Sequence, residues 1–260
     1  ASDKDIKNLC SFLCVDTSEV PEFHPNQQFL DKILSLRKEE AKTDPADIIA
    51  HQKEVKAARI KRLGAKTALE NLARLFGADL FNKLPKLKEC MFAPLPSPNS
   101  DVSDTSIPDS ICEPESTLGQ EIIDALSVIR ALLPCLNRSL HAEFLPIFDL
   151  ILKILKLKFS VLRYSAAKCF ATICSVMPIE GITFLVEHIL PVVPNALDLY
   201  IRQGAIECIY HLTATMGSDI LPYVVFLIVP VLGRMSDADK DIRLIATTTF
   251  ASIIKLVPLE

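Results

Sequence analysis

The chain has 260 residues, half of them hydrophobic, with no tryptophan, 7 glycines, 8 cysteines and a net charge of −4. So few glycines leave little material for phosphate-cradling loops, and so small a charge names no nucleic-acid or membrane partner. The longest apolar run, 220–232, contains Pro222 and Pro230 and falls short of the ~20 residues a bilayer-spanning helix needs.

In chain order, a short apolar segment at 9–15 precedes a loop through Pro21 and Pro25. Asn26 is placed to cap a helix through Phe29, Ile33 and Leu36. Thr43-Asp44-Pro45 then restarts the chain with proline at a first helical position. A long helix over 45–76 is stopped by Gly77, and 80–92 supplies the next. Residues 96–116 are rich in Ser, Pro and acids and carry no Lys or Arg, the composition of a disordered insertion at an intra-repeat turn. A helix begins at Leu118, followed by the expected pairs 143–157 with 161–177, 182–197 with 200–216, and 220–235 with 242–257. Interior prolines such as Pro146, Pro191, Pro194, Pro222 and Pro230 predict that the first helix of each pair is kinked or starts late.

One pattern organises these elements. Counting from Arg62, Arg163, Arg202 and Arg243, the third following residue is alanine (Ala65, Ala166, Ala205, Ala246), and the fifteenth is a stopper (Gly77, Pro178, Gly217, Pro258). Large apolar residues fall at offsets seven and ten: Leu69/Leu72, Phe170/Ile173, Ile209/Leu212 and Phe250/Ile253. These offsets form one stripe of a helix. A degenerate copy starts at Ile122, with Ala125, Ile129 and Leu132 on the stripe and Asn137 as stopper. The last three arginines lie 39 and 41 residues apart, the period of HEAT or armadillo helix pairs. The expected fold is therefore an all-α solenoid of about five to six repeats. Its layout is 1–95 as helical repeats with a long basic helix, 96–116 as the acidic insertion and 117–260 as further repeats, the whole read as a piece of a longer array.

No GxxxxGK[ST], HExxH, GxSxG or GxGxxG occurs, so the sequence offers no phosphate cradle, metal motif or nucleophile elbow. A Cys208–His211 couple is the nearest approach to nucleophilic chemistry, and its spacing on one helix reads first as packing. The cysteines lack a CxxC and sit mostly at apolar phases, as reduced thiols of a nuclear or cytosolic protein do. No cofactor is implied. The candidate interaction surface is a strip on the long helix, Lys56, Arg59 and Lys66 beside Arg62 and Arg74, suited to phosphates or an acidic protein surface. Glu70, four residues from Lys66 and Arg74, and Leu63 within the same arc suit a solvated, partly packed face equally well. The recurring arginines Arg62, Arg163, Arg202 and Arg243 are expected to order the stack. Asp237 precedes Arg243 by six, but the equivalent positions Lys56, Leu157 and Ala196 interrupt an aspartate–arginine ladder.

Arg234-Met235-Ser236-Asp237, Ile242-Arg243-Leu244-Ile245-Ala246-Thr247, Phe250-Ala251 and Lys255-Leu256-Val257-Pro258-Leu259-Glu260 together resemble the last HEAT repeat of the TATA-box-binding-protein-associated ATPases of the Swi/Snf type. Arg59 to Lys66, Asn8-Leu9-Cys10 and Leu13-Cys14-Val15-Asp16 are similar to that family as well. The resemblance implies a nuclear parent protein that grips the TATA-binding protein with HEAT repeats and strips it from promoter DNA by ATP hydrolysis. It implies a motor beyond Glu260, and the TATA-binding protein and that motor as partners of a non-enzymatic segment. No gripping residue carries over by motif, and direct DNA contact is left open. The rival reading is a generic HEAT adaptor, such as a transport receptor or phosphatase scaffold.

Overall fold

The structure, a computed structural model, describes residues 2–14, 45–95 and 117–257. The helix expected from Asn26, the insertion 96–116 and the stopper Pro258 lie outside the described residues. Among the described residues the regular elements are helical and none is a strand, so the chain is all-α. It divides into two compact units, Ala1–Glu143 and Phe144–Glu260.

In the first unit α1 (Asp3–Cys14) buries Ile6, Cys10 and Leu13, an i, i+4, i+7 stripe. It packs on α2 (Pro45–Phe76), α4 (Pro85–Phe92) and α5 (Leu118–Leu132). Helix α2 turns Ala65, Leu69 and Ala73 inward and ends at Gly77, whose φ of 52° is comfortable only without a Cβ. The segment read as one helix over 80–92 is two. Leu84 precedes Pro85, whose ring disfavours helical geometry at the preceding residue, and its φ of −129° and ψ of 67° break α3 (Leu80–Lys83) from α4. Helix α5 is the centre of this unit, with Ile122, Ile123, Ala125, Leu126, Val128, Ile129 and Leu132 all buried. The degenerate register from Ile122 thus points inward. After it, Asn137 accepts hydrogen bonds from the Ser139 amide and hydroxyl; α5 has already stopped at Leu132, just ahead of Pro134.

The second unit holds α6 (Ile147–Leu155), α7 (Ser160–Val176), α8 (Pro178–Phe184), α9 (Leu199–Met216), α10 (Val224–Arg234) and α11 (Lys240–Leu256). Helix α7 packs on α9 and α9 on α11, while α6 lies against α7 and α10 against α11. Ala166, Phe170 and Ile173, then Ala205, Ile209 and Leu212, then Ala246 and Ile253 are buried at the repeat offsets. Leu72 and Phe250 depart from the pattern and are only half-buried. Phe148, Phe170 and Phe184 bind α6, α7 and α8 together, with Phe148 and Phe184 stacked at 4.9 Å. Met177-Pro178 repeats the break of Leu84-Pro85, with φ −126° and ψ 70° at Met177. Asp198 and Asp239 cap α9 and α11: each carboxylate accepts from two amides of the first turn.

The first helix of each expected pair is interrupted or starts late, as its interior prolines predict, and is shorter than the expected span. Helix α6 begins only after Pro146. Pro191, which has no N–H to give, lies in a 3₁₀ turn that follows a π-turn over Leu185–Ile189. Residues 217–223, with Pro222 inside, are 3₁₀ before α10 begins. The stretch Leu199–Arg234 is long and apolar enough in composition to cross a bilayer. Gly217, at φ 54°, breaks it into α9 and α10, and α9 packs on α7 and α11.

Candidate interaction surfaces

Three of the recurring arginines stand near the starts of α7, α9 and α11 and fold back onto the turn that precedes each helix. Arg163 Nη1 donates to the Leu157 carbonyl at 2.8 Å, Arg202 Nη1 to the Asn195 and Ala196 carbonyls at 3.0 and 3.5 Å, and Arg243 Nη1 to the Asp237 and Ala238 carbonyls at 2.6 and 2.9 Å. A backbone acceptor makes the side chain six residues back irrelevant to this contact, which is why Leu157 and Ala196 can replace aspartate there. Turn carbonyls otherwise left without partners are satisfied in this way.

Forward contacts differ among the three. Arg163 is fully buried; it donates from Nη2 to Gln203 Oε1 at 3.0 Å, lies 3.6 Å from Glu207 Oε2 and rests 5.6 Å from the Tyr200 ring centre. Arg202 grips Asp237 with Nε and Nη2 at 3.1 and 3.4 Å, and Arg234 Nη1 adds 2.8 Å to the same carboxylate. Arg243 is exposed and, among the described residues, its guanidinium reaches back to the preceding turn alone. The recurring arginines thus differ in burial, from Arg163 inside to Arg243 at the surface. In the first unit Arg62 is half-buried near the Cys14 thiol. Burial and the Asp124 carboxylate push that thiol up to about 12 against the opposing pull of Arg62.

Asp237 is buried, and burial alone would raise its carboxyl. The Asp239 N–H and the Arg202 and Arg234 guanidiniums outweigh that and hold it below the usual carboxylate value. A depressed native value means stability present above the unfolded value of about 3.9 and lost as pH falls through the lower native one. Wild type and Asp237→Asn should therefore differ in melting temperature at pH 5–7 and converge only as the pH falls through the native value, which lies below the unfolded value of about 3.9; scanning calorimetry carried down into that acid range will check it.

On α2, Lys56 and Arg59 are exposed and Lys66 is half-buried 3.7 Å from Glu70. Lys61 lies 5.9 Å over the Phe12 ring of α1. Ile60 and Leu63 stand 64% and 67% exposed among these cations.

Cys208 is fully buried, burial pushes its thiol well up, and His211 packs edge-on to Tyr164 at 5.0 Å. This couple is a core contact. Sequence spacing gave no sign of a thiol pair formed by Cys10 and Cys90. In the first unit Cys90 is held down to about 7, first by a hydrogen bond from Cys10 and, against burial, by Lys86 and Lys7, while Cys10 is pushed up. Among the described residues no group of three His, Cys, Asp or Glu side chains could hold a metal ion. An open apolar groove of about 330 Å³ lies between α8 with its π-turn and the start of α10, and helical periodicity did not reveal it either.

These features define an all-α protein of successively packed helices whose chemistry lies on helix faces. Comparison with known proteins narrows the class. A family model described as "Domain of unknown function (DUF3535)" matches residues 1–90. The chain is 52% identical over 258 residues to the TATA-binding protein-associated factor mot1 of Aspergillus fumigatus, covering 99% of this chain and 14% of that protein. It is 43% identical over 260 residues to MOT1 of Saccharomyces cerevisiae, again covering 14% of it. Over 201 residues, 77% of this chain, it is 30% identical to the human TATA-binding protein-associated factor 172, of which that match covers 11%. The chain belongs to this family of TATA-binding protein-associated factors and spans about one seventh of the length of the fungal relatives.

Proposed function

We propose that this chain is a HEAT-type scaffold segment, without enzymatic activity of its own, of a nuclear transcription regulator that as a whole protein uses ATP hydrolysis to displace TATA-binding protein from promoter DNA. The observation that carries this reading is 43–52% identity along essentially the whole chain to fungal proteins named as TATA-binding protein-associated factors. It is supported by the spacing of about 40 residues between arginines that brace successive turns and by the sequential packing of α7, α9 and α11. In this reading the motor lies in another part of the protein, and the segment holds its neighbours in register. Lys56, Arg59 and Lys66 offer a basic contact to an acidic partner surface or to phosphate. The family relation favours this over a transport or phosphatase adaptor.

The test uses the full-length protein with Arg163→Ala, which loosens the contact between α7 and α9. ATP-driven release of TATA-binding protein from TATA-containing DNA should slow while ATP turnover persists. Unchanged release, or ATP turnover by the 260-residue chain above a blank, would overturn the scaffold reading.

A further inference from the structure

The groove in the second unit is lined by Ile179, Ile182, Val186, Tyr223 and Phe226, with Glu187 on its rim. Its surroundings are unusually apolar for a surface: Ile179, Val225 and Val229 are 75%, 71% and 74% exposed, and Phe226 is 47% exposed. Contiguous exposed apolar patches of this kind mark binding sites. Charge around it is one-sided. The sequence has no lysine or arginine at 169–201 or at 203–233, and Arg202, between those stretches, is committed to Asp237. Of the acids in the same span, Glu207 is buried against Arg163 and Asp198 caps α9. Glu180, Glu187 and Asp219 remain exposed, with His188 beside Glu187 at 3.9 Å.

We propose that this groove docks a basic amphipathic segment of a partner protein, seating one apolar side chain between Ile179, Val186 and Phe226 and a neighbouring lysine or arginine against Glu187. A groove between helical elements suits an amphipathic helix laid along it, and Glu187, the one charged residue lining the groove, favours a positive charge beside it. The same rim argues against the other occupants. A second copy docked groove to groove would bring like charges together, and an anionic lipid surface would be repelled. The surface is a property of this unit and stands whether or not the whole protein displaces TATA-binding protein.

Fluorescence anisotropy with the 260-residue chain tests it. The probes are a labelled synthetic peptide with leucine and phenylalanine on one helical face and lysine on the other, an acidic twin with glutamate for lysine, and a scrambled isomer of the basic peptide. The basic amphipathic peptide should bind, more weakly as salt rises. Ile179→Asp should weaken it about tenfold or more, and Glu187→Lys should weaken it while strengthening the acidic twin. Both positions are exposed, and an unchanged circular dichroism melt verifies that the variants fold. Equal binding of the scrambled isomer or the acidic twin, no binding of the basic peptide, or indifference to both substitutions would each overturn the proposal. Self-association of the chain, or its binding to phosphatidylcholine vesicles, would do so as well if abolished by Ile179→Asp.

Discussion

Arg163→Ala should cost the second unit about 3–5 kcal/mol, the usual penalty for removing one partner of a buried ion pair. Urea unfolding followed by circular dichroism will read this as a lower midpoint with an unchanged slope. Three losses coincide at this residue. The Leu157 carbonyl loses its donor at the turn before α7, Gln203 loses the Nη2 donor, and Glu207 keeps its charge inside without the guanidinium 3.6 Å away. Desolvation sets the magnitude, because a carboxylate held in the interior without its cation has no water to replace it. Arg163→Met tests that point, since it refills much of the volume but not the charge; it should stay destabilising, and adding Glu207→Gln should restore part of the loss. Arg202→Ala should rank second, because its bidentate grip on Asp237 is somewhat more exposed than the Arg163 pair and Arg234 remains on the same carboxylate. Arg243→Ala and Lys56→Ala, both at exposed positions, should fall near the surface range of about 0.5 kcal/mol. Equal midpoints for Arg163→Ala and Lys56→Ala would remove the buried pair from any account of how α7 is held to α9.

This ranking marks where sequence reading stops. Periodicity found the stripe because burial of Ala166, Phe170, Ala205 and Ile209 depends on local helix geometry alone, and the ends at Gly77 and Gly217 followed from the conformational freedom of glycine. The acid that answers each arginine was not legible. Glu207 lies 44 residues beyond Arg163 and Asp237 35 beyond Arg202, so no fixed spacing connects them; only the packing of one helix on the next brings them together. The contact six residues back was hidden for another reason, since it uses a carbonyl that every residue type provides. The first helices of the pairs were misjudged in length because their apolar residues continue through Pro191 and Pro222 while the hydrogen-bond ladder does not. The apolar groove escaped as well. Ile179, Val186 and Phe226 sit on elements separated in sequence, and apolar residues on a helix face are ordinarily assigned to the core.

Gly204→Ala should destabilise the second unit by about 1–3 kcal/mol or more, as overpacking does, although the same change in an exposed helix usually stabilises. A Cβ built on Gly204 would meet the Leu155 carbonyl oxygen at 1.9 Å and its carbon at 2.8 Å. Leu155 is the last residue of α6, so the obstacle is backbone, which cannot swing aside as a side chain can. Helix α9 would have to move away from α6, and with it the seat of Gln203 and Glu207 against Arg163. Against this stands the gain in helix propensity of alanine over glycine, about 1 kcal/mol, too small to offset the clash. Gly64 supplies the control, being helical and exposed with nothing within 4 Å of a built Cβ. Gly64→Ala should be neutral or stabilising by up to about 1 kcal/mol, so the two substitutions should shift the urea midpoint in opposite directions. Gly181, whose Cβ would fall 2.5 Å from Cys174 Sγ and 2.9 Å from its Cα, should behave like Gly204 with a smaller loss, since the sulfur can give way in part. If Gly204→Ala raised the midpoint as Gly64→Ala does, α6 and α9 would not be in backbone contact, and the close packing described for this unit would be wrong at its tightest point.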